Sequence, residues 1–205
     1  MATGLRERKK QQTRELIAET ARRLFGERGF EAVTVTEIAR AAEVSAQTVF
    51  NYFPTKEDLV YWRLESFEDE LLGTIRDRAP GESVLSAFGR FVRAPRGMLA
   101  SHDPETRERL AALTHMIVSS PSLLAREQQI FEGYTRDLAD LLGGDVEARV
   151  AAGAMIGLHR ALVDFSRERV LAGAREELAD EVTAQADKAL ALLEHGLGEY
   201  GSENS

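Results

Sequence analysis

The sequence predicts an all-α fold on three grounds. Apolar residues recur every three to four positions through most of the 205 residues, the spacing of a helix face. These runs open on cap-type residues: Thr34 with Glu37, Ser45, Thr55 with Asp58, and Asp103 before Pro104. The one β-branched cluster, residues 33–36, is short and sits on a cap signal, so no segment reads as a strand.

Taken in order, residues 7–28 form the first expected helix, with Thr13, Ile17, Ala21, Leu24 and Phe25 recurring along it and Gly29 placed to end it. Thr34 and Glu37 have capping-box spacing and open a short helix to about Ala42, with Val35, Ile38 and Ala39 inward. Ser45 caps the next, which carries Val49, Phe50 and Phe53 as its apolar positions and is kept short by Pro54, because the residue before a proline is driven out of the helical region. Thr55 and Asp58 then open one long helix through Leu59, Leu64, Phe67, Leu71 and Ile75. Pro80 and Gly81 break the chain, Ser83 starts a helix bent or stopped near Pro95, and Asp103-Pro104 leads one through Leu110, Leu113 and Ile117. Pro121 opens a helix ending near Gly143 and Gly144, and two long helices, about 145–169 and 174–195, complete the chain.

Charge is divided unevenly. The formal net charge is −8, yet residues 1–60 hold 10 Lys/Arg against 9 Asp/Glu, and the excess sits in residues 1–14, where Arg6, Arg8, Lys9, Lys10 and Arg14 face only Glu7. A basic N-terminal element ahead of an acidic body places phosphate-seeking charge at one end; a solvated terminal segment is the plainer explanation of the same residues. The chain has no cysteine, which removes disulfides, thiolate metal sites and cysteine nucleophiles. No apolar signal segment or membrane-length run is evident, so a soluble cytoplasmic protein without membrane association is expected.

Two short helices joined by Ala41-Ala42-Glu43-Val44 meet the size requirement of a helix-turn-helix, in which the first helix braces a second that enters the DNA major groove. Ile38, Val44, Val49 and Phe53 supply its small core, leaving Ala46, Gln47, Thr48, Asn51 and Tyr52 outward. The Gln47 amide suits adenine N6 and N7, and Ala46 or the Thr48 methyl suits a thymine methyl. Ser45, Thr48, Tyr52 and Lys56 are candidate phosphate donors. Each has a plainer role open to it: Ser45 and Thr34 as caps, Tyr52 as core, Lys56 as a solvated first-turn lysine.

The segments LFGERGFEAVTV, EIARAAEVS and TVFNYFPTKEDL, in that order, resemble the N-terminal domain of the TetR (tetracycline-repressor) family of regulators. The resemblance covers about a quarter of the chain. It implies a TetR-like architecture: a three-helix DNA-binding domain over residues 1–56, a helical effector-binding and dimerisation domain over 57–198, and a flexible tail at 199–205. It further implies a homodimer that sets one reading helix per subunit in successive major grooves of a palindromic double-stranded operator, a repressor released by a small-molecule effector, and no enzymatic activity or cofactor. Base contacts fall to Ala46, Gln47 and Asn51, phosphate contacts to Thr34, Thr48, Tyr52 and Lys56. Arg6, Arg8, Lys9 and Lys10 are expected to follow the phosphate backbone or enter the adjacent minor groove. The sequence departs from the family at Glu43, where glycine is common, and at Gln47, where a cationic or small residue is frequent.

For the body, the pool of effector-lining residues is Trp62, Phe67, Phe88, Phe91, Met98, Leu113, Met116, Ile117, Phe131, Tyr134, Met155 and Leu158, a type of residue that at helical spacing is more often core than pocket, together with His159, which lines either the pocket or the subunit interface. The stretch from Thr114 to Ser122 is similar, more weakly, to one in actinobacterial members of the family, including mycofactocin-type regulators, and implies a hydrophobic or acyl-like effector. The histidines 102, 115, 159 and 195 lack metal-ligand spacing. Small residues of the last two helices, among them Gly153, Ala154, Gly157, Ala186 and Ala189, allow close approach of a symmetry mate or of the chain's own helices. Two alternatives stand beside the regulator: a helical enzyme, for which the sequence offers no paired carboxylate with a nearby histidine, oxyanion motif, Gly-rich phosphate loop or metal cluster at recognisable spacing, and an adaptor that has lost specific DNA recognition.

Overall fold

The computed structural model describes residues 2–62, 64–173 and 177–197; the expected tail at 199–205 lies outside them. The described regular structure is helical: α1 Ala2–Arg28, α2 Val35–Ala41, α3 Ala46–Tyr52, α4 Asp58–Tyr61, α5 Leu64–Arg76, α6 Val84–Arg93, a single 3₁₀ turn Gly97–Ala100, α7 Pro104–Val118, α8 Pro121–Leu141, α9 Val146–Leu171 and α10 Leu178–Leu197. This is an all-α fold, with a helix-turn-helix among the first helices and further helices following. No described helix is long and apolar enough to cross a membrane.

The caps place most boundaries. Thr34 and Glu37 close a reciprocal capping box on α2, and the side chains of Ser45, Ser83 and Asp145 accept from Thr48, Ser86 and Ala148 backbone N–H groups at the starts of α3, α6 and α9. The expected single helix from Thr55 to Ile75 is corrected: α4 ends at Tyr61 and α5 begins at Leu64. Leu59 and Tyr61 are buried in one compact part of the chain and Leu71 and Ile75 in another. The first helix starts earlier than expected, at Ala2, and α10 begins at Leu178; the residues 174–176 where it was expected to start lie outside those described.

The chain forms two compact units. The first takes the chain up to Leu64 together with Met116–Glu127, the end of α7 and the start of α8. Its core stacks Ile17, Ala18, Ala21 and Phe25 of α1 on Phe30, Val33, Ile38, Val49, Phe53 and Leu59, all essentially buried. The α7–α8 elbow is bound into this unit by polar ties. The Tyr61 hydroxyl donates to the Leu123 carbonyl at 3.0 Å, the Ser120 hydroxyl to Glu31 Oε1 at 2.6 Å, and Arg126 Nε to Asp58 Oδ1 at 2.7 Å.

The second unit comprises Glu65–His115 and the chain from Gln128 onward. Here α10 packs against α6 and α9. The crossing with α6 is close at Gly89, where an added Cβ would lie 3.3 Å from Leu190 Cδ1, so glycine sets that approach. Phe88, Phe91, Met155 and Ala186 are buried in its interior, each large side chain contributing about 1.5–3 kcal/mol of transfer free energy.

Candidate nucleic-acid interface

The reading helix α3 is built by its neighbours. It packs on α2, and its inward residues are Val49, fully buried, and Phe53 just past its end, 1% exposed. The turn between α2 and α3 is a Schellman-type closure: Glu43 N–H donates to the Arg40 carbonyl at 3.2 Å and Val44 N–H to the Ala39 carbonyl at 2.9 Å. Closing it requires a left-handed residue, and Glu43 takes φ 56°, the one non-glycine positive φ among the described residues. The departure from glycine noted in the sequence therefore falls on the position where the backbone favours glycine most.

With Val49 and Phe53 inside, the opposite face of α3 is solvent-facing. Gln47 and Asn51 are exposed and joined by a hydrogen bond from Gln47 Nε2 to Asn51 Oδ1 at 3.1 Å, which aligns the two amides one turn apart. Phe50 lies with them, 45% exposed, although by sequence it counts only as an apolar position of the helix and not among its outward residues. Helical phase explains it: residues 49 and 53 are four apart on the buried face, and residue 50 is rotated about 100° from 49. Ala46, Thr48 and Tyr52 are half-buried at the edges of this face.

Other predicted site residues carry structural bonds that qualify their reach. Ser45 Oγ receives Thr48 N–H at 3.0 Å and sits 2.8 Å from Thr48 Oγ1, so both hydroxyls take part in the cap while Ser45 stays exposed. Thr34 Oγ1 donates to Glu37 Oε2 at 2.8 Å and accepts from Glu37 N–H. Glu37 is pulled to a pKa of about 2, first by the Thr34 backbone N–H and then by the Arg28 guanidinium, so its carboxylate holds this corner through the physiological range. Lys56 turns inward: Nζ donates to the carbonyls of Phe30 at 3.0 Å and Val33 at 3.3 Å and lies 4.0 Å from the Phe30 ring centroid. It fastens the α1–α2 connection and keeps one N–H for an external acceptor. Arg6, Arg8, Lys9 and Lys10 are exposed and helical, on the first turns of α1.

The effector pool divides between the units. Trp62, Met116 and Ile117 belong to the first, the rest to the second. There Phe67, Phe91, Phe131, Tyr134 and His159 come together: Phe67 is stacked on His159 at 4.6 Å and on Tyr134 at 5.7 Å, with Phe91 edge-on at 5.1 Å, and Phe131 is edge-on to His159 at 5.8 Å. Met98 lies apart, in a cleft with Leu99, His102, Leu110 and Leu178, while Phe88 and Met155 are core and Leu113 and Leu158 are outside the ring cluster. The stretch from Thr114 to Ser122 runs from the end of α7 into α8, and in it Ser120 is 2% exposed and bonded to Glu31.

Comparison with known proteins agrees with this geometry. Residues 17–61 match the model of bacterial regulatory proteins of the tetR family. The chain is 31% identical over 135 residues to the HTH-type transcriptional regulator TcmR of Streptomyces glaucescens, covering 63% of this chain and 60% of that one. It is 41% identical over 77 residues to the regulator BetI of Rhizobium meliloti, covering 38% and 36%. The match thus spans less than two thirds of these relatives' length. Among solved structures, Salmonella enterica GusR superposes with a TM-score of 0.53 at 17% identity, covering 91% of this chain and 95% of that one. The fatty acid degradation regulator FadR of Bacillus halodurans gives 0.53 at 20%, covering 86% and 97%. At these identities the superpositions establish the fold. Residues 17–61 thus match the helix-turn-helix domain of the tetR family, and over most of its length the chain shares the fold of these solved structures.

Proposed function

We propose that the protein is a ligand-responsive repressor that binds a palindromic operator as a homodimer and is released by a small, largely apolar effector. The observation that carries the DNA half is the outward face of α3, where Gln47, Phe50 and Asn51 are exposed on a helix whose other side is locked by Val49 and Phe53. Gln47 and Asn51 read base edges, and Thr48, Ser45, Tyr52 and the remaining N–H of Lys56 serve phosphates, with Thr34 acting chiefly as a cap. Arg6, Arg8, Lys9 and Lys10 contribute phosphate attraction from α1. As a helix about 10–12 Å across, this segment does not fit a minor groove about 6 Å wide, so groove entry would require it to unwind.

The dimer half is supported by α9 and α10. Many of their small residues, including Ala151, Ala152 and Ala186, are used inside the second unit. A separate face of α9 stays open, with Val146 74% and Val150 62% exposed, and Gly153 and Gly157 continuing the same stripe with nothing within 4 Å of an added Cβ; on α10 Leu192 is 79% exposed. A second copy meeting this face would form a four-helix contact through the last two long helices. The effector half is supported by the aromatic cluster of the second unit.

Selection of bound genomic fragments tests this function. Enrichment of one inverted-repeat sequence bound by two chains supports it, as does a Val150→Asp variant that sediments as a monomer and loses the site. Failure to enrich any repeat at low salt defeats it.

A further inference from the structure

The solvent-facing side of α3 holds few hydrogen-bonding groups, and bonds inside the helix decide which of them stay open to a partner. At the helix start the hydroxyls of Ser45 and Thr48 face each other at 2.8 Å, and Ser45 Oγ also receives the Thr48 backbone N–H. One turn on, Gln47 Nε2 donates to Asn51 Oδ1 at 3.1 Å. Among the described residues the side chains of these two exposed amides bond only to each other, and Phe50 beside them adds no hydrogen-bonding group.

The direction of that bond makes the two amides unequal. A side-chain amide carries an acceptor oxygen and two donor hydrogens. Gln47 spends one hydrogen on Asn51 and keeps its oxygen and the other hydrogen. Asn51 has its oxygen turned to Gln47 and keeps both hydrogens. Gln47 therefore presents an acceptor beside a donor, and Asn51 presents donors.

Base edges in the major groove differ in the same terms. Adenine sets a donor, N6, beside an acceptor, N7, which is the complement of Gln47. Guanine sets two acceptors side by side, O6 and N7, which is the complement of Asn51. Against the Asn51 hydrogens adenine places its own N6 donor, cytosine its N4 donor, and thymine a single acceptor. Positions 47 and 51 are about 6 Å apart along the helix axis, at most two base-pair steps of about 3.4 Å. The bond between the amides persists on adenine, because it uses the Gln47 hydrogen that the base leaves over.

We propose that Asn51 is a second specificity-determining residue of the reading helix: it sets the Gln47 amide for adenine and itself reads a guanine no more than two base pairs away. The assignment rests on α3 being the DNA-reading helix of a regulator, and it narrows each operator half-site to one that holds this adenine and this guanine together.

Selection from a randomised duplex library by the full chain, repeated with Asn51→Ala and Asn51→Asp, tests it. Wild type is expected to retain one adenine and one guanine within two base pairs in each half-site. Asn51→Ala loses the guanine, and its preference for the adenine falls about twofold because the Gln47 amide turns freely. Asn51→Asp keeps an acceptor for Gln47 but has no donor of its own, so the adenine stays and the guanine gives way to cytosine, whose N4 donates to the carboxylate. On the selected duplex, exchanging the guanine for 7-deazaguanine weakens wild type about fivefold and leaves Asn51→Ala indifferent. Wild-type base preferences in both variants overturn the proposal, and loss of the guanine with the adenine preference intact in Asn51→Ala overturns the positioning of Gln47. A selected repeat without this pair of bases refutes the assignment and leaves the regulator standing. No enriched repeat for wild type defeats the regulator and the assignment with it.

Discussion

Arg126 Nε of α8 lies 2.7 Å from Asp58 Oδ1 of α4, and the same carboxylate takes the Thr55 backbone N–H on Oδ2 at 2.9 Å. Thr55 and Arg126 thus share one acid, 68 residues from the arginine in sequence, that also starts α4. Asp58 is 14% exposed in its side chain, so the pair is shielded from solvent more than a surface ion pair. With Tyr61 bonding the Leu123 carbonyl and Ser120 bonding Glu31, the α7–α8 elbow is an integral part of the unit that carries α3.

Arg126→Ala therefore lowers stability by about 1–2 kcal/mol, leaving a partly buried carboxylate with one partner fewer, and Tyr61→Phe lowers it by about 1 kcal/mol. Urea midpoints of the two variants check this. Unchanged midpoints would show that the elbow is not tied in as described.

Glu43 at φ 56° stores backbone strain in the helix-turn-helix turn. Glu43→Gly relieves it and raises stability by about 1 kcal/mol, with operator affinity unchanged because Glu43 is not on the reading face. Thermal unfolding and an operator titration measure both; a less stable glycine variant would contradict the strain.

Phe50 on the open face of α3 offers an apolar contact to a thymine methyl. One buried methyl is worth about 0.8 kcal/mol, so exchanging the contacted thymine for uracil weakens wild-type binding about fourfold and leaves Phe50→Ala indifferent. Equal losses in both proteins would place Phe50 away from the bases.

Two shifted groups give stability opposite pH slopes. Burial first, then a hydrogen bond that protonated Glu68 donates to Asp137, raises Glu68 from 4.5 to about 7, so the folded state binds the extra proton and stability is lost as pH rises through that interval. His159 runs from 6.5 down to about 4, so the unfolded state binds the extra proton and stability is lost as pH falls through that interval. Glu68→Gln removes the first slope: above pH 7 it melts higher than wild type, and below 6.5 it shows the histidine slope alone. Parallel melting curves for the two proteins across pH 4–8 would contradict this assignment.

Local chemistry made the helix starts legible. Thr34 with Glu37, Ser45, Ser83, Asp103 and Asp145 all act as side-chain caps, because a cap depends on residues three apart. The reading face was legible at Gln47 and Asn51 and missed at Phe50, where hydrophobicity outweighed the helical phase that turns it outward. Lys56 was seen as a cation at a helix start; its bonds to Phe30 and Val33, 26 and 23 residues away, have no local signal. The division of the Thr55–Ile75 segment and the inclusion of Met116–Glu127 in the first unit were hidden for the same reason. Both follow from which core each stretch fills, not from the periodicity that two consecutive helices share.

The central claim is that the α3 face reads sequence. Fluorescence anisotropy of the chain on its selected operator, and on the same duplex with both half-sites scrambled, tests it directly with Gln47→Ala alongside. About a thousandfold preference for the intact operator is expected, with Gln47→Ala losing about tenfold there and almost nothing on the scrambled duplex. Equal affinity for both duplexes, falling together as salt is raised, would contradict it.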